Sequence, residues 1–255
     1  MKTLGIIPAR MASTRFPGKP LAKINGRPML EWTWRAAAGA KRLDAVIVAT
    51  EDNRIYTAAR EFGAVVVMTS TGCQSGTERC VQAAKSYALT AWPAEIILNI
   101  QADEPLIRTG TIDQLVEAMT DPSIEMATVV IPGNNSPAFH DKNRVKVVTD
   151  RAGFALYFSR MAIPSGRPGH MNFLQHVGIY GFRAGMMHRL IFGFERGPLE
   201  DREGLEQLRA LENGIRIKTI RANYPMMAVD SPDDVRAVSA LLAMAEKQPS
   251  GRTRE

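Results

Sequence analysis

The sequence predicts an α/β protein with a mainly parallel sheet flanked by helices and a β-rich insertion in its second half. Three observations carry this. Short apolar runs alternate with segments of helical period through residues 1–132. Those runs are continuous and rich in β-branched residues, the pattern of strands covered on both faces. After residue 133 the strand-like runs crowd together and their spacing loosens. Strand–helix–strand repetition requires crossovers, and crossovers make neighbouring strands parallel.

Each element follows from its residues. LGII is the first strand, and PMLEWTWRAAAGA the first helix. AVIVAT is a strand, and EDNRIYTAAREFG a helix that stops on Gly63. AVVVM, EIILNI and MATVVI are further strands, separated by the helices TERCVQAAKSYA and TIDQLVEAMT. In the second half VKVVTD, FALYFS, HVGIYGFR and IRIKTIRA have β character. GPLEDREGLEQLRALENG reads as a helix closing on Gly214. SPDDVRAVSALLAMAEK is a last helix, with Ser231 as N-cap, Pro232 at the first position and Asp234 in the first turn. The expected organisation is one domain over 1–247. Residues 1–132 form a nucleotide-binding half, 133–222 an insertion packed over the sheet edge, 223–247 a closing segment and helix, and 248–255 a disordered tail.

Composition narrows the function. At 255 residues the chain can bury a sizeable core. A net charge of +6 suits a nucleic acid, an acidic membrane surface or a small, highly anionic substrate. The cations are dispersed apart from the tail GRTRE, and no aromatic–basic alternation marks an RNA platform, so no nucleic-acid partner is expected. No apolar run is long enough to cross a bilayer, and the first one is too short for a signal peptide, so the expected location is cytoplasmic, without membrane insertion. Cys73 and Cys80 lack metal-ligand company and read as packing thiols.

Chemistry concentrates where strands end. Residues 8–20 follow the first strand and therefore sit at the carboxyl edge of the sheet, where α/β ligands bind. Arg10, Arg15 and Lys19 cannot all be buried there without anions. Arginine offers two-pronged contacts and lysine a mobile point charge, a combination that suits a triphosphate. The Walker pattern is absent. The competing reading is a solvated basic loop. In QSGTER, Ser75 and Glu78 have the spacing of a capping box, which leaves Gln74 and Arg79 unexplained. In NIQADEP, Asp103 and Glu104 follow an apolar strand; a carboxylate facing a triphosphate requires a cation between them, the setting of Mg²⁺. Asp230 ends the short run MMAV, and it can share one metal with Asp103 if the two strand ends converge. Asp233 and Asp234 read as helix N-terminal charges. His176 and Tyr180 lie four apart on a strand and face one side. Arg160 and Lys146 are cations suited to a carboxylate.

PARMASTRFPGKPL resembles the signature loop of the 3-deoxy-manno-octulosonate cytidylyltransferases, the CMP-Kdo synthetases. QSGTER, NIQADEP, VKVV, ALYFSR, HVGIYGFR, LEQLRAL and VDSPDD continue the likeness in the family's order over nearly the whole chain. The resemblance implies a Rossmann-like sheet of the nucleotide-diphospho-sugar transferase type. It implies transfer of CMP from CTP to the anomeric hydroxyl of a 2-keto-3-deoxy sugar acid, with Mg²⁺ and release of pyrophosphate, for lipopolysaccharide or capsule. It assigns Pro8, Ala9, Arg10, Ser13, Thr14, Arg15, Lys19, Gln74, Ser75 and Arg79 to the nucleotide. It assigns Gln101, Lys146, Arg160, His176, Tyr180, Glu206 and Gln207 to the sugar. Asp103 and Asp230 are the implied metal ligands, and Arg10, Lys19 and Asp103 the implied catalytic set. A homodimer is also implied.

The chain departs from the family's pattern at the metal and sugar end. It reads QADEP for the usual QGDEP, and PMMAVD where glycines commonly precede VD. Arg144 precedes VKVV where an uncharged residue is common, and the segment after Ile163–Pro164 is short. These differences leave two alternatives: a different ulosonic acid, such as 8-amino-Kdo or a sialic-acid-like acceptor, and an inactive nucleotide-binding relative.

Overall fold

The first strand, β1 (Thr3–Pro8), is buried at every residue. In the computed structural model, which describes residues 1–13, 15–89, 93–133, 137–165 and 172–247, it is the axis of the sheet. The chain then passes through the opening loop and a hairpin of β2 (Lys23–Ile24) and β3 (Arg27–Pro28). Helix α1 (Met29–Ala38) leads to β4 (Ala45–Thr50), parallel to β1 with Ile7 opposite Val48. Helix α2 (Asn53–Glu61) is capped by Asp52, whose carboxylate accepts the Arg54 N–H. It leads to β5 (Val65–Met68), the half-exposed parallel edge. The turn between them uses Gly63 at φ 92, a left-handed angle that glycine adopts without strain.

On the other side of β1, α3 (Gly76–Ala88) leads to β6 (Ile96–Ile100), and α4 (Thr109–Ala118) to β7 (Met126–Gly133). Alternate residues of β1 point to opposite faces. Ile7 joins Leu30, Val48 and Leu115 in one core, while Leu4 and Ile6 join Ile47, Phe158 and Phe182 in the other. This double burial is why the strand sequences are continuously apolar.

The second half differs from the expected packing over an edge. It contributes β8 (Lys146–Thr149), β9 (Ala155–Ser159), β10 (Phe173–Arg183) and β11 (Ile217–Arg221). The strand order is β11–β7–β10–β6–β1–β4–β5, so β10 runs antiparallel inside the sheet, between β6 and β7. Gly181 lets the end of α4 pack closely on this strand: a Cβ there would stand 2.9 Å from Met119 Cγ. The first part of β10 pairs with β8, and β8 with β9, to form a projecting ribbon. The register of β10 against β7 shifts between Val177 and Tyr180.

After α5 (Ala184–His188), the segment expected as one helix is two, α6 (Pro198–Glu203) and α7 (Gln207–Glu212). Gly204 breaks it at φ 62. A buried two-pronged ion pair joins the halves, with Arg209 Nε 2.6 Å from Glu200 Oε2 and Nη2 2.7 Å from Oε1. Helix α8 (Pro232–Lys247) closes the chain, and Asp234 accepts the N–H groups of Ser231 and Asp230 in its cap. A small cluster of Ile24, Leu106, Val229 and Val238 packs with Phe16 and ties the opening loop to this helix. No helix among the described residues is long and apolar enough to cross a membrane. The expected tail, 248–255, lies outside the described residues.

Candidate active site

Two strands that lie side by side deliver the site. β1 ends in the opening loop and β6 ends in the turn from Gln101 to Glu104. A cavity of about 720 Å³ opens between them. The opening loop lines it with Arg10, Ser13, Arg15 and Lys19, and the start of α3 with Ser75 and Arg79. A second cavity of about 280 Å³ adjoins it, walled by Arg144, Arg160, Gln175, His176 and Gln207. Arg15, Gln101, Asp103 and Asp230 line both. The two spaces therefore meet at the pair of aspartates.

The convergence that the sequence only made conditional is real. Val229 N–H donates to the Asp103 carbonyl at 2.9 Å and brings the two chain segments together. Lys19 Nζ lies 2.5 Å from Asp103 Oδ2 and 3.5 Å from Asp230 Oδ1. Arg15 Nη2 lies 3.1 Å from the same Asp230 oxygen. Both carboxylates thus contact one small cation. Two hard oxygen donors, with room for water and phosphate oxygens, are what Mg²⁺ takes from a protein, so the donor set fits that ion. Among the described residues no larger cluster of His, Cys, Asp and Glu is suited to a metal.

The opening loop is built to hold its cations at the cavity. Gly18 turns the chain at φ 75 and donates to Met11 O at 3.1 Å. Lys19 follows directly and begins a short 3₁₀ turn. Arg10 is exposed at the cavity, with no ion-pair partner among the described residues. At α3 the serine half of the capping box is present, Ser75 Oγ accepting the Glu78 N–H at 3.1 Å, while Glu78 accepts the N–H of Gln74, one residue before the cap, at 2.7 Å. Arg79 is buried, held by Glu51 Oε2 at 2.6 Å and Thr69 Oγ1 at 2.5 Å. Its guanidinium is thereby fixed in the wall.

The second cavity is a polar pocket with unmet hydrogen-bonding capacity. Gln207 Nε2 and Glu104 Oε2 are buried without hydrogen-bond partners among the described residues. Burial, with Asp103 adjacent, pushes the Glu104 carboxyl up to about 8. His176 contacts Thr128 Oγ1 at 3.1 Å and stacks against Phe158 and Tyr180. Burial brings its imidazole down to about 3, so it is neutral at physiological pH. An unfolded imidazole titrates near ~6.5. Stability that this group contributes above that pH is therefore lost as the pH falls from there towards 3. Thermal unfolding should show a smaller decline between pH 7 and pH 5 in His176→Gln than in the parent, by about 4–8 °C.

The comparisons agree with this architecture. The family model described as Cytidylyltransferase matches residues 4–218. The 3-deoxy-manno-octulosonate cytidylyltransferase of Solibacter usitatus is 44% identical over 254 residues, spanning 98% of this chain and 98% of its own. That of Zea mays is 44% identical over 246 residues, spanning 94% of this chain and 81% of its own. A solved CMP:2-keto-3-deoxy-manno-octonic acid synthetase complexed with CTP superposes with a TM-score of 0.87 at 35% identity, covering 96% of this chain and 100% of that one. The chain belongs to the 3-deoxy-manno-octulosonate cytidylyltransferase family.

Within this cytidylyltransferase most of the anticipated residues line the two cavities. Pro8, Ala9, Arg10, Ser13, Arg15, Lys19, Ser75 and Arg79 line the first. Gln101, Arg160, His176 and Gln207 line the second. Thr14 lies outside the described residues. Gln74 is exposed and outside the cavity wall, its side-chain amide turned back to Gly72 O. Tyr180 and Glu206 do not reach the wall: Tyr180 is stacked between His176 and Phe182.

Lys146 requires a correction. It is fully buried, and its ammonium donates to the carbonyls of Asp141, Arg144 and Arg160 at 2.5–2.8 Å. It braces the ribbon beneath the cavity and leaves no hydrogen for a sugar. Lys146→Met strands three carbonyls and should destabilise the fold by about 2–4 kcal/mol in denaturant unfolding, with little change in substrate KM for the fraction that remains folded.

The departures from the family pattern are accommodated. Ala102 lines the first cavity without a left-handed backbone angle, since Asn25 is the one non-glycine residue with positive φ among those described. Met226 and Ala228 join the wall of the second cavity. Arg144 and Gln175 were missed by sequence reasoning as site residues, the departure at Arg144 being the available signal; Glu104, read beside Asp103 at the strand end, lines the second cavity.

Proposed function

We propose that this cytidylyltransferase moves CMP from CTP to the anomeric hydroxyl of 3-deoxy-D-manno-octulosonate (Kdo) and releases pyrophosphate. The observation that carries the reading is the meeting of a cation-lined cavity and a polar sugar-sized cavity at Asp103 and Asp230. Nucleotidyl transfer depends mostly on positioning and on neutralising phosphate charge. Arg10 binds the phosphates from the open side, while Lys19 and Arg15, already between the aspartates and the larger cavity, neutralise charge on the pyrophosphate as it departs. Arg79 faces the base as a fixed donor. Gln207, His176 and Gln101 hold the sugar hydroxyls. Mg²⁺ held by Asp103 and Asp230 would polarise the phosphate and acidify the acceptor hydroxyl.

The same reading makes the product an activated sugar for lipopolysaccharide or capsule, formed in the cytoplasm without a nucleic-acid partner. Self-association into a homodimer is supported by β9, which pairs with β8 alone and carries Leu156 at 62% exposure, with Met161 at 59% just beyond it. The test is incubation with CTP, Mg²⁺ and Kdo, 8-amino-Kdo or sialic acid, with products identified by mass. CMP-Kdo as the fastest product is expected. Turnover of another acid alone would change the acceptor, and no pyrophosphate from any would reject the activity.

A further inference from the structure

The proposed acceptor carries a carboxylate, and among the described residues few cations in the second cavity are free to meet it. Lys146 is consumed by three backbone carbonyls. His176 is neutral. Arg15 is engaged with Asp230. Arg160 donates through Nε to Glu203 O at 2.8 Å, which ties it to α6, and through Nη1 to Lys142 O at 3.2 Å, so two of its three nitrogens are already held by backbone. The wall also holds Asp103 and Asp230, which repel an incoming anion. A carboxylate enters such a pocket only where a cation with spare donors faces it.

Arg144 has that capacity. It lines the cavity and donates through Nη1 to Gln175 Oε1 at 3.2 Å, another wall residue. Its ion pair with Asp141 is long, 3.6 Å, and both side chains are more than a third exposed, so the pair holds it weakly. With one arm steadied by Gln175, the guanidinium keeps N–H groups available for a two-pronged carboxylate contact.

We propose that Arg144 grips the acceptor's carboxylate and makes this site select acidic over neutral sugars. The proposal rests on the reading of the acceptor as a ulosonic acid. The test is steady-state kinetics of Arg144→Gln and Arg144→Lys with Kdo, together with inhibition by the uncharged methyl ester of Kdo. Arg144→Gln should raise the KM for Kdo about 10- to 100-fold, the scale of a charged hydrogen bond. The KM for CTP should stay within about twofold, and the ester should inhibit parent and variant equally. Arg144→Lys should recover part of the loss, because it restores charge without the fork. A KM for Kdo unchanged in Arg144→Gln, or acid and ester weakened alike, overturns the proposal while leaving the CMP-Kdo activity standing. Absence of CMP-Kdo product from the parent protein removes the function reading and this proposal with it.

Discussion

Asp103→Asn is expected to lower kcat by about 10²–10³-fold with a melting temperature close to that of the parent. Asp103 ends the turn after β6, lines both cavities and meets Lys19 at 2.5 Å. Asparagine keeps the shape and the backbone bond from Val229 to the Asp103 carbonyl. It removes one of the two charges that face the cation position. Loss of rate without loss of fold is therefore the signature of a site residue here. Steady-state kinetics at saturating Mg²⁺, paired with thermal unfolding, checks it; near-parental kcat would remove Asp103 from the chemistry.

The largest stability effect is expected at Arg209. Its pair with Glu200 is buried on both sides, with side-chain exposures of 9% and 6%. A third bond from Nη1 reaches Leu190 O at 3.0 Å. Arg209→Met leaves the buried Glu200 carboxylate with only a long contact to the exposed Arg196, 3.6 Å from Nε, and should cost about 3–5 kcal/mol. The double variant Arg209→Met with Glu200→Leu should recover most of that, since no charge remains unpaired. Because Gln207 stands on the same short helix, the single variant should raise the KM for Kdo more than that for CTP. Denaturant unfolding of the single and double variants decides this; equal losses in both would mean that the charge pair is not what holds α6 to α7.

The parallel half of the fold was legible because each of its signals is local. Continuous β-branched runs, a serine three residues before a glutamate, and glycines after helical runs each state one element and its end. The site edge followed from them, since the residues after β1 and β6 had to lie together. The place of β10 was not legible. HVGIYGFR carries an ordinary strand pattern, and nothing local in it states that it pairs between β6 and β7. Lys146 misled for a related reason. Its neighbours read as a strand with one solvated cation, while the carbonyls that satisfy it come from residues 2, 5 and 14 positions away. The break of one expected helix into α6 and α7 was visible at Gly204, but the ion pair that makes the break tolerable depends on folding. The resemblance covered the chain and supplied the sugar set, of which Gln101, Arg160, His176 and Gln207 line the second cavity.

The central claim is that nucleotide and acceptor spaces meet at a divalent ion between Asp103 and Asp230. Crystals grown with CTP and Mn²⁺, measured for anomalous scattering, test it most directly. The account predicts an ion in contact with oxygens of both aspartates, beside the nucleotide phosphates. An ion bound to the phosphates alone, with both carboxylates still on Lys19 and Arg15, would contradict it.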